Sequence, residues 1–146
     1  MEFILGKEEY RSIKESFYNI FAAFLGMENV KEDFIDCIFK WGVQLDIDKK
    51  ELYSFIGKPE TVKFIEPADE KEALEHVYDL VYMIYLDGEV EDIELEVTTE
   101  YAKMLGFKPH IVNDLLKAIV TAPYDGLEDS KRRGELKQII DDVLSQ

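Results

Sequence analysis

Cysteine is almost absent. Cys37 stands alone, so no disulfide can close within the chain, which fits a reducing compartment and an expected cytoplasmic location. Basic side chains are scarce: 17 Lys and Arg face 32 Asp and Glu, a formal net charge of −15. Affinity for nucleic acid comes mainly from Lys and Arg that neutralise phosphates, so a nucleic-acid partner is excluded, and an anionic membrane surface with it. Basic proteins and divalent cations are the natural counterparts of such a field. No apolar run is long: near the start only Phe3, Ile4 and Leu5 precede the charges, too short for a signal-peptide core or a spanning helix. Missing as well are a Gly-rich phosphate loop, a Gly-x-Ser-x-Gly elbow and a metalloprotease helix motif.

What is present reads as one ordinary globular unit. The chain has 146 residues, 47% hydrophobic and 34% charged, which suits a single domain over residues 1–146. Apolar positions recur at helical spacing, as in Ile13, Phe17, Ile20, Phe21 and Phe24, and again in Phe34, Ile35, Ile38, Trp41 and Leu45. The expected fold is all-α, a bundle of about seven helices. They are predicted near 7–25, 30–45, 48–55, 69–86, 92–105, 109–121 and 128–144, with a further turn over 60–65. Gly26, Gly57, Gly88, Gly106 and Pro123 fall in the breaks. From Val77 to Leu86 only Asp79 interrupts an apolar sequence. A helix apolar all round belongs at the centre, wrapped by its neighbours.

Shifting the chain by 60 residues lays Glu15 on Glu75, Tyr18 on Tyr78, Val30 on Val90 and Leu45 on Leu105. Similar residues fill the gaps, including Ile20 with Leu80 and Trp41 with Tyr101, and the breaks at Glu28-Asn29 and Gly88-Glu89 coincide. An internal repeat, about 13–57 and 73–117, predicts two pseudo-symmetric halves.

The acids are unevenly spread. Residues 66–100 hold 13 of them against one base, Lys71. Within this stretch Asp87, Gly88, Val90 and Glu94 form an Asp-Gly pair ending an apolar helix, an aliphatic residue two places on and a Glu six places on. In this pattern, with Ala102, Leu105 and Gly106 further on, the chain resembles the tellurite-resistance TerB-like family, which includes the N-terminal domain of the DjlA co-chaperones. The resemblance is best over about 69–116. It implies an all-helical fold and a link to stress responses; it implies no enzyme. The first half departs from the pattern, with Met27, Glu28 and Phe34 at the positions equivalent to Asp87, Gly88 and Glu94. A J-domain His-Pro-Asp is missing, so co-chaperone activity does not carry over.

Two arrangements fit the acidic corner. In one, Gly88 supplies a left-handed turn, Glu91 and Asp92 cap the next helix, and Glu94 reaches back in a capping box. In the other, Asp87, Glu91 and Glu94 converge with a loop carbonyl on Ca²⁺ or Mg²⁺, the hard ions that oxygen ligands select. The string is not an EF-hand, since Asp92 and Thr98 stand where Gly and Glu are needed. Asp79 needs a donor if it is buried, with Tyr18, Tyr78 or a helix end expected to supply it.

Other residues read more plainly. Cys37 is expected to be a core thiol, His76 half-exposed and His110 on the surface. Lys131-Arg132-Arg133 is read as one solvated face of the last helix. The functional expectation is a non-catalytic interaction module that contacts a basic protein through residues 87–96, Glu89 included. The alternatives are a carboxylate- or metal-dependent enzyme and a purely structural oligomerisation domain.

Overall fold

The computed structural model describes residues 7–121 and 138–145. Along them run α1 (Lys7–Leu25), α2 (Glu32–Gln44), α3 (Lys49–Gly57), a single 3-10 turn (Pro59–Thr61), α4 (Glu70–Leu86), α5 (Asp92–Met104) and α6 (Ile111–Thr121). Residues 138–144 are helical again. No strand occurs among the described residues, and the fold is all-α.

Each helix starts where its sequence supplies a cap or negative charge for the exposed N–H groups. Asp48 accepts from the Lys50 amide and so caps α3. Asp69 accepts from the Glu72 amide and caps α4. At α2 the first turn carries Glu32 and Asp33. Its helix begins after Lys31 and not at Val30, because Asn29 turns left-handed (φ 60) and Lys31 is extended.

The core lies between α1 and α4, which pack on each other. α4 also packs on α5 and α6, and α1 on α2. Every residue from Val77 to Ile84 is buried, as expected of a helix surrounded by others. The buried α1 stripe of Ile13, Phe17, Ile20, Phe21 and Phe24 faces it. Phe24 meets the Phe34 ring at 5.8 Å and Phe21 meets Phe55 at 6.0 Å, both edge-on, the offset geometry that aromatic quadrupoles prefer. Gly42 lets α2 sit close: a Cβ there would lie 2.8 Å from both Phe17 Cζ and Leu52 Cδ2.

The elements recur at the offset seen in the sequence. α2 and α5 start 60 residues apart and end 60 residues apart. Their exits match bond for bond. Leu45 and Leu105 donate to Trp41 and Tyr101 carbonyls, Ile47 and Phe107 to those of Gly42 and Ala102. Asp46 and Gly106 both hold positive φ, 63° and 96°.

Between α3 and α4 the chain departs from the expected turn. The turn expected over 60–65 is helical only to Thr61, and residues 62–67 run as a strap with no regular secondary structure. Asn19 of α1 explains it. Its Nδ2 donates to the Ile65 carbonyl at 2.7 Å, and its Oδ1 accepts the Ile65 amide at 2.8 Å. One buried side chain thus satisfies both backbone groups that a helical turn would have paired. Of the last predicted helix, residues 128–137 lie outside the described residues.

Candidate functional site

The acidic corner follows the end of α4. Asp87 is its C-cap, and Gly88 takes φ 83, a left-handed conformation that glycine adopts without penalty. Asp87 is half-buried, while Gly88, Glu89, Val90, Glu91 and Asp92 are exposed. Glu94 goes the other way. It is only 1% exposed. Its Oε1 accepts the Glu91 amide at 3.1 Å, the reach-back half of a capping box. Its Oε2 accepts the indole N–H of the fully buried Trp41 at 2.8 Å.

Of the three carboxylates expected to meet a divalent cation, Glu91 and Glu94 are brought together and then turned to different tasks. Glu91 Oε1 binds Lys40 Nζ at 2.7 Å. That hydrogen bond raises the Lys40 pKa against the cost of partial burial, and the charges of Glu94, Glu91 and Asp87 add to the rise. Lys40 of α2 thus brings a positive charge to these acids. No three of His, Cys, Asp and Glu among the described residues are grouped to hold a metal ion. The contact surface expected over 87–96 also needs correction at Glu94, which faces inward.

Asp79 is buried and bonded, though not to Tyr18. Ser12 Oγ and Ser16 Oγ of α1 donate to its Oδ2 at 2.6 and 2.8 Å. Tyr18 donates instead to Glu51 at 3.2 Å. Burial pushes the Tyr18 phenol up to about 12, with the Glu51 charge and hydrogen bond adding to it.

Above Asp79, Ser12, Ser16, Glu15, Glu72, Glu75 and His76 line an open cleft of about 430 Å³ between α1 and α4. His76 Nδ1 lies 3.3 Å from Asn19 Nδ2 and 3.4 Å from the Tyr101 hydroxyl. Burial lowers the His76 pKa, against the pull of Glu72 and Glu15, which favours the neutral ring. The hydroxyls and the imidazole are thus spent on joining helices. His110 is exposed and paired with Asp114 at 2.8 Å.

Cys37 is buried. Burial pushes its thiol up to about 12, with Glu94 reinforcing and Lys40 opposing. A thiol of that pKa holds a thiolate fraction on the order of 10⁻⁴ at pH 8. Ellman's reagent at pH 8 is expected to leave the native protein unlabelled over minutes and to react at once in denaturant. Native labelling as fast as that of a free thiol peptide would contradict this.

Two structural residues have partners that the sequence does not reveal. Trp41 lies on the expected apolar stripe, but the sequence offers no acceptor for its indole N–H. Asn19 is the second, a polar residue of α1 whose partner, the Ile65 backbone, lies 46 residues away. A polar residue on a buried stripe was the available signal in each case: Glu94 shares a face with Val97, Thr98 and Tyr101, and Asn19 is flanked by core positions.

No protein-family model, no curated protein and no solved structure matches this chain. No described helix is long and apolar enough to cross a membrane.

Proposed function

We propose that this chain is a non-catalytic, TerB-like interaction module of a stress-response pathway, and that its exposed carboxylates, set at both ends of α4, take a basic polypeptide. The observation that carries the reading is how the acids of residues 66–100 are divided. Asp79 and Glu94 enter the core and are bonded there. Glu66, Asp69, Glu70, Glu89, Glu91, Asp92 and Glu96 stay exposed. The side chains best suited to acid–base or nucleophilic chemistry are committed to bonds between helices or are held in an unreactive state. The outward carboxylates are left to create a field that steers cations of any size. The resemblance at Asp87, Gly88, Val90 and Glu94 agrees with this, since Gly88 makes the turn and Glu94 the inward bond.

The test is binding of fluorescein-labelled decalysine, followed by anisotropy. Affinity is expected to fall about tenfold or more between 50 and 500 mM salt, as screening shortens the reach of the charges. The variant Glu89→Lys/Asp92→Lys is expected to weaken it further at low salt. Decalysine that binds no better than decaglutamate at 50 mM salt would remove the reading.

A further inference from the structure

At the end of α4 remote from the acidic corner, the strap meets the last turn of α5. Here Phe64, Pro67, Ala73, Met104 and Phe107 line an open groove of about 500 Å³, the size of a small-ligand or side-chain pocket. Apolar surface is left uncovered along it: Phe64 is 40% exposed, Met104 47%, and the adjoining Ile65 71%. The charged residues that line it are all acids, Glu66, Asp69 and Glu70. The closest base on α5, Lys103, is held by Glu100 at 3.2 Å.

The groove is also built in advance. The Asn19 amide grips the backbone of Ile65 from both sides, so the strap that forms one wall is fixed to α1. The opposite wall, the exit of α5, is fixed by the Leu105 and Phe107 amides on Tyr101 and Ala102 carbonyls. A preformed wall spares a ligand the entropy of ordering it.

Resting on the acidic-face reading above, we propose that this groove docks the apolar anchor of that basic polypeptide: a Leu, Met or Phe side chain flanked closely by Lys or Arg. The uncovered Phe64 and Met104 account for the anchor and the lining acids Glu66, Asp69 and Glu70 for its flanks. An acidic or lipid partner would meet like charge at Glu66, Asp69 and Glu70. Interfaces of this kind draw most of their affinity from one buried anchor, with rim charges setting partner choice and encounter rate.

The full chain is titrated with two fluorescein-labelled peptides of equal charge, decalysine and a decalysine in which two central Phe and Leu residues are inserted. The anchored peptide is expected to bind about tenfold or more tightly, roughly 1.4 kcal/mol by the standard conversion. Met104→Glu, and independently Phe64→Ser, should erase that advantage and leave decalysine binding and the melting temperature nearly unchanged. Tyr53→Glu, at an apolar residue 63% exposed elsewhere, should leave both affinities as they are. Equal affinity of the two peptides overturns the groove, and so does an advantage that survives both groove variants. A second copy or a segment of the chain itself in the groove also overturns it, and shows as a sedimentation change or a lower melting temperature in Met104→Glu. The two readings fail separately: decalysine without affinity ends the acidic-face reading, whereas decalysine that binds with no gain from the anchor ends only the groove.

Discussion

Glu94→Ala is expected to cost about 3 kcal/mol of unfolding free energy, because a buried indole N–H and a backbone N–H lose their acceptor together. For a domain of this size that is a fall in melting temperature of roughly 10 °C. The donors concerned are Trp41 Nε1 and the Glu91 amide. Glu94→Gln retains an acceptor oxygen but not two, and should cost less, about 1–2 kcal/mol. Trp41→Phe should be comparably severe, since it takes the indole donor from a carboxylate that is 1% exposed. The double variant Trp41→Phe/Glu94→Leu should lose clearly less than the sum, as expected for two residues in direct contact. Trp41 is the sole tryptophan, so its fluorescence follows unfolding and reports on the contact in the native state. A Glu94→Ala protein within about 0.5 kcal/mol of the parent would show that the pair is not formed.

Asp79→Ala should be nearly as damaging, again about 3 kcal/mol, through the hydroxyls it strands. Ser12 and Ser16 both donate to Asp79 Oδ2 across the α1–α4 contact. Asp79→Asn keeps the shape and one acceptor, and should cost about half as much, because hydrogen bonds to an ionised acceptor are the stronger kind. Ser12→Ala/Ser16→Ala removes the same two donors from the other side. Combined with Asp79→Ala, it should add little to the single variant, which chemical denaturation can measure. Additive losses would mean that the serines and the carboxylate act separately.

These two contacts also show what the sequence could reveal. The helices were legible because their causes are local: an apolar stripe, acids in the first turn, glycine at the exit. α1 was read at Lys7–Leu25 and found there. The interruption at Asp79 was legible for the same reason, as a lone charge in an apolar run. Its partners were not. Tyr18, Tyr78 or a helix end is the donor the sequence offers, whereas the serines lie 63 and 67 residues back along the chain. Glu94 is harder still: its capping-box bond is local and legible, but its second oxygen accepts from Trp41, 53 residues away. The strap over 62–67 has no periodicity of its own; its shape is imposed by Asn19, 46 residues distant. Turn residues such as Pro59 and Pro67 announce that a helix stops, but not which path the chain then takes.

Among the described residues, several buried polar ties cross between the first sixty-odd residues and the remainder: Ser12 and Ser16 with Asp79, Trp41 with Glu94, Asn19 with His76. Neither half can close its own account of donors and acceptors, although each carries a full set of three helices. Severed from its sibling, either would expose a greasy flank studded with stranded polar groups. The two are thus fitted to melt together, in one cooperative step.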